Sequence, residues 1–259
     1  MKSKSLFKKI NQQNLFICLL VIAFICFSNI IFGGFSKDTF LKMLNSLSSC
    51  VGFCFIVLLS RNYGNFKLSI QNGMSRKQFF KSKMFIIIFS AFLSSLFSYI
   101  ITIIIYILDK SYLSSLYISY IYNYFQFFNS YILSLIFMFI ADFCMMLFLI
   151  VFFNTFGSLM SLFNRMVKFF IYLLLIGLTV SFFIGIAHEG FYEYFVRIMD
   201  NLHAVSIFKF ISGFNTIDID QRHSLANANP INPILTLLIF SSILSCISYK
   251  ITKLQQVNR

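Results

Sequence analysis

The chain has 259 residues, 59% of them hydrophobic and 11% charged, with a formal net charge of +13 and a mean hydropathy of +0.83. A soluble domain carries about 25% charged residues, and 37 phenylalanines with two prolines are more apolar surface than one water-facing core of this length hides. The composition excludes a secreted disulfide scaffold, a soluble enzyme and a disordered chain, and points to helices that use lipid as their solvent.

Before the first apolar run, residues 1–14 place Leu6, Phe7 and Ile10 at helical spacing with the lysines pointing elsewhere. That pattern describes an interfacial leader lying in the headgroup layer, apolar face down. Runs of spanning length follow at Leu15–Phe32, Leu41–Ser60, Met84–Leu108, Tyr131–Phe153, Lys168–Ala187 and Ile231–Tyr249. Each is near the ~20 residues that cross about 30 Å of hydrocarbon. The first run is too long for a signal-peptide core and passes into Phe32-Gly33-Gly34-Phe35 without a small-x-small cleavage site, so it is read as a retained helix.

Charge orients the six runs. With both termini in the cytoplasm, fifteen of the 21 lysines and arginines fall on the inner segments. Seven of the eight acids fall outside, and the eighth, Asp142, lies within a span. This is the positive-inside pattern, and it accounts for the basic surplus without nucleic acid; it also favours anionic lipid headgroups. The expected fold is all-α, integral to the membrane, a single domain over 1–259 with six transmembrane helices.

The inner segment 61–83 is the most informative. Asn72-Gly73 is a turn signal, and Ser75 with Gln78 fits a capping box that opens a helix carrying Phe79 and Phe80 beside Arg76, Lys77, Lys81 and Lys83. The expected form is a turn followed by a short amphipathic helix parallel to the membrane, leading into the third span. Gly73-Met-Ser-Arg-Lys-Gln-Phe-Phe-Lys-Ser-Lys83 resembles the Gly-hydrophobic-Ser-Arg-x-x-[Phe/Tyr]-x-x-x-Lys segment of six-helix ABC-type exporter permeases, where it also lies between the second and third helices. The resemblance is sharp over this dozen residues and otherwise covers layout. It implies that Gly73, Met74, Ser75, Arg76, Phe79, Phe80 and Lys83 couple the chain to a separate ABC ATP-binding subunit, which holds ATP and Mg. It further implies a second permease copy or paralogue, a bacterial plasma-membrane location, and outward transport of an amphipathic peptide or other hydrophobic cargo, as in lantibiotic-immunity and peptide-toxin exporters.

The chain has no Gly-x-x-x-x-Gly-Lys-[Ser/Thr] phosphate loop, nucleophile elbow or catalytic acid pair, so it is read as no enzyme and as holding no cofactor itself. Asp142 is expensive inside a span unless paired, protonated or wet; structural, gating and ion-coupling uses all stay open, the last implying an ATP-independent transporter or channel. A membrane sensor or immunity protein is the remaining alternative. His188, Glu189 and Glu193 lack a complete metal-ligand pattern, with His203 and His223 scattered, and the six cysteines read as packing residues. Residues 188–230 form a longer outer segment with helix-like pieces at 191–199 and 204–214. Residues 110–130 read as an aromatic-rich outward extension of the third helix. Ser90, Ser94 and Ser98, and Ser241/Ser245 with Ser242/Cys246, place small residues at the spacing that lets helices approach closely.

Overall fold

The computed structural model describes residues 16–17, 19–24, 27–28, 36–60, 63–108, 127–128, 130–186, 206–207, 210–211, 213 and 229–255. The expected leader lies outside the described residues, as do nearly all of the 188–230 segment, including its histidines and glutamates, and 109–126. Six helices are numbered here in chain order. They are α1 (Lys37–Ser60), α2 (Tyr63–Gln71), α3 (Arg76–Leu108), α4 (Tyr131–Met160), α5 (Arg165–Ile186) and α6 (Ile231–Leu254). Short helical stretches at 16–17, 19–24 and 27–28 fall in the expected first span. Among the described residues the fold is all-helical, and four helices, within α1, α3, α4 and α6, are long and apolar enough to cross a membrane. Their surfaces are apolar where a soluble protein's are polar, as with Phe53 at 65% and Phe85 at 62% exposure. The chain is a multi-pass membrane protein.

Local chemistry sets the helix ends. Ser36 caps α1, its hydroxyl accepting from the Thr39 amide at 3.1 Å. Pro230 stands at the N-cap of α6, where the Asn229 side chain accepts from the Ile231 amide. Between α2 and α3 the Met74 amide donates to the Ser69 carbonyl and the Gly73 amide to the Ile70 carbonyl. This is a Schellman closure, and it requires the left-handed backbone that Gly73 supplies at φ +80°.

Two expected boundaries are corrected. The helix opened at Ser75 is not a separate amphipathic piece along the membrane surface: it continues as α3 for 33 residues, because nothing between Lys83 and Met84 breaks the helix and its first turns pack inward. The short helix that stands apart is α2, before the turn. The fourth span likewise runs on from Phe153 to Met160, carrying a polar stretch into the protein interior.

The core is a three-helix seam with a fourth helix on its flank. Val51, Phe55 and Leu59 of α1 interlock with Ile87 and Ala91 of α3 and with Ile150 and Val151 of α4. Toward the other end Leu41 and Leu47 meet Ile101 and Ile105, so α1 and α3 are antiparallel. Ile234 lies against Ala141 and Cys144, and Ser248 against Asn154, so α4 and α6 run parallel. α5 shares no extensive contact with the other described helices. The serine pattern of α3 is spent on this packing, with Ser90, Ser94 and Ser95 all buried. On α6 only Ser241 of the expected small-residue pairs is buried; Ser242 and Cys246 face outward.

Candidate functional site

The start of α3, the end of α4 and the end of α6 meet at one end of the bundle. Every described lysine and arginine except Lys37 and Lys42 lies at or near this end, from Lys67 and Arg76 to Lys253. The site is built from the turn upward. Gly73 is exposed and Met74 half-buried. Ser75 and Gln78 cap each other, the Gln78 amide donating to the Ser75 hydroxyl and the Ser75 amide to Gln78 Oε1, each at 3.2 Å. This reciprocal box fixes the first turn of α3 and hence where its side chains point.

One face of that turn is turned into the protein. Phe79 is buried, edge-on to the fully buried Phe66 of α2 with ring centroids 5.3 Å apart. Phe80 packs on Tyr249 of α6 at 5.0 Å. The Lys253 ammonium lies over the Tyr249 ring, 4.6 Å from its centre, and the Arg76 guanidinium donates to the Lys253 carbonyl. Lys83 is 5% exposed and donates to the Ser158 hydroxyl at 3.1 Å, with the Phe79 ring 5.9 Å away. No acid stands beside it among the described residues; its hydrogen-bond partner is a hydroxyl at the carboxyl end of α4. Gln255 closes the arrangement, its amide donating to Ser161 Oγ at 2.6 Å and to the Ser158 carbonyl at 3.4 Å.

The seven residues read from the sequence as one coupling segment therefore divide. Gly73, Ser75 and Arg76 are exposed, with Lys77, Gln78 and Lys81, and offer a surface; Met74 is half-buried; Phe79 and Lys83 are committed within the chain, and Phe80 largely so. Ser158, Tyr249, Lys253 and Gln255 were not singled out by the sequence reading. Asn154, Thr155 and Ser158 did leave a signal, a polar run at the end of an otherwise apolar span.

Asp142 lies elsewhere, midway along α4 and facing Ser95 of α3. The two side chains interact, yet Asp142 Oδ2 and Ser95 Oγ are both buried without a partner in hydrogen-bond geometry. Several hydroxyls in the bundle return to their own helix, as Ser241 to Leu237, and Thr155 bonds both Val151 of its own helix and the Leu244 carbonyl of α6. No group of three or more His, Cys, Asp or Glu side chains able to hold a metal occurs among the described residues. Cys50, Cys144 and Cys246 are free thiols.

Comparison with family models, with curated proteins and with solved structures returns no match. The resemblance to exporter permeases therefore rests on the Gly73–Lys83 residues and the layout of the chain.

Proposed function

We propose that the chain is the membrane subunit of an ATP-driven ABC exporter, with six transmembrane helices and both termini in the cytoplasm of a bacterial cell. A separate ATPase subunit binds ATP and Mg, and a second permease copy or paralogue completes the path. The observation that carries this reading is the Gly73–Lys83 segment itself: a capped helix start with an exposed polar face and an inner face rooted in α2, α4 and α6. A partner that pushes on Gly73, Ser75 and Arg76 pushes on the ends of two other helices. Coupling then needs only that the ATP-bound partner contact one packing of the bundle better than another.

Helix direction supports the six-span count. α4 and α6 run parallel, so the chain must recross between them, and α5, 22 residues and about 33 Å long at 1.5 Å per residue, supplies that return. The basic end is then cytoplasmic by the positive-inside rule. An amphipathic peptide entering from the membrane is the proposed cargo.

A second reading is favoured by one observation, the unpartnered Asp142 and Ser95 pair in the bundle: an ATP-independent transporter or channel that moves a proton or cation. Affinity purification from native membranes in mild detergent separates the two. Wild type should retain an ABC ATP-binding subunit, and Lys77→Glu/Lys81→Glu, changed only on the exposed face of α3, should lose it. An intact wild type that retains none rejects the exporter and leaves the Asp142 reading or a sensor or immunity protein.

A further inference from the structure

Over its whole length α6 packs mainly on α4 and touches α3 far less. The ring contact and hydrogen bond that join it to α3 lie at its carboxyl end. Tyr249 contacts both Phe80 of α3 and the Lys253 ammonium of its own helix, and the Lys253 carbonyl accepts from Arg76. Six residues on from Tyr249, Gln255 reaches α4 and holds Ser161 and the Ser158 carbonyl, while the Ser158 hydroxyl takes the Lys83 ammonium. The contacts form a closed circuit from α3 to α6, from α6 to α4 and back from α4 to α3. In a circuit each tie limits the motion of the other two.

We propose that Tyr249 and Gln255 are positioning residues: the carboxyl end of the last helix holds the first turns of α3 against the end of α4, so that the three ends move as one body. The role deepens the exporter reading and rests on it only for its consequence, since it makes the last and fourth helices the elements that receive a push on the Gly73–Lys83 segment. The helix that bears the segment would then not be the principal mover. Gln255 suits the task because its amide donates to two acceptors at once where the α4 carbonyls run out of helical partners. Tyr249 suits it because an aromatic face accepts both a ring and a cation.

The test is hydrogen exchange on the purified full-length protein in detergent, followed by mass spectrometry, for wild type, Tyr249→Leu, Gln255→Ala and Tyr249→Phe. Tyr249→Leu and Gln255→Ala should speed exchange roughly fivefold or more in peptides covering 79–83 and 158–161, the size expected for losing one such contact. Peptides from 44–56 of α1 should exchange as in wild type, and Tyr249→Phe, which keeps the ring, should behave as wild type throughout. Unchanged exchange at 79–83 in Tyr249→Leu overturns the proposal, and so does an equal rise in α1, which would mean general loosening. ATP-driven transport and retention of the ATPase are measured on the same variants. Transport lost with the ATPase still bound supports transmission through these residues; transport at wild-type level in both variants overturns it. If wild type binds no ATPase, the exporter reading fails while the exchange result still decides the positioning role.

Discussion

Ser158 carries more than its size suggests, because its hydroxyl is the hydrogen-bond acceptor for a buried ammonium. Ser158→Ala leaves Lys83 without that partner, and an unsatisfied buried donor costs about 1–3 kcal/mol, more when charged. Lys83→Met removes the donor and keeps the stem. The double variant Lys83→Met/Ser158→Ala should therefore be more stable than Ser158→Ala alone, with a coupling of at least about 1 kcal/mol between the two sites. Thermal unfolding of the four proteins in detergent measures it, and additive losses would mean that Lys83 does not depend on Ser158. Asp142 is the bundle's other polar residue of note: it interacts with Ser95, and its buried Oδ2 has no partner in hydrogen-bond geometry. Asp142→Asn keeps the shape and the interaction with Ser95 while removing an ionisable group from the bundle, so the variant should unfold no earlier than wild type. Under the exporter reading its ATP-driven transport persists. A stable Asp142→Asn protein that has lost a proton- or cation-dependent flux would instead favour the ATP-independent reading.

Two glycines show how differently helices can approach each other. A Cβ on Gly157 of α4 would fall on the Ser60 carbonyl at the end of α1, which is backbone and cannot step aside. A Cβ on Gly52 of α1 would meet Met146 Cε at 2.7 Å, the far end of a flexible side chain. Gly157→Ala should accordingly cost about 1–3 kcal/mol as overpacking, and Gly52→Ala well under that because Met146 can repack; unfolding midpoints of the pair compare the two directly. Equal midpoints would show that the end of α1 is free to move. Legibility in the sequence follows the same division between local and distant. The Ser75–Gln78 box, the Asn72-Gly73 turn and the buried serine face of α3 are readable because each needs partners only three to five residues away. The Arg76 bond to Lys253 joins residues 177 positions apart, and no spacing rule reaches that far. For the same reason Phe79 and Phe80 fall among the residues expected to couple to a partner: an aromatic pair beside lysines looks the same whether it faces a partner or the chain's own Phe66 and Tyr249. The continuation of α3 through Lys83 was concealed by its charges, which mark a membrane surface in the sequence but sit here on a helix whose inner face is already packed.

For the molecule as a whole, the directions of the helices constrain the topology more tightly than hydropathy does. α3 opposes α1, and α6 repeats the direction of α4, so the ends near Ser60, Arg76, Met160 and Leu254 gather at one end of the bundle and Lys37 and Leu108 lie at the other. Hydropathy alone would tolerate an odd number of crossings in the 161–230 region or none. If α4 and α6 both span, their parallel packing requires an odd number, and α5, a helix of 22 residues between them in the chain, is long enough to make one crossing. α5 makes little contact with its neighbours, and its Phe169 and Phe170 are 60% and 63% exposed, which in lipid is an ordinary surface and in water would not be. The arrangement predicts a labelling pattern. In a cysteine-free background, Lys77→Cys and Lys250→Cys should react with a membrane-impermeant maleimide only after the cells are opened, and Lys37→Cys should react in intact cells. A residue at the start of α5, Arg165→Cys, should behave like Lys77→Cys. Labelling of Arg165→Cys in intact cells would place α5 across the wrong boundary and break the six-span arrangement. Labelling of Lys77→Cys in intact cells would invert the molecule, leaving the Gly73–Lys83 segment where no cytoplasmic ATPase could reach it.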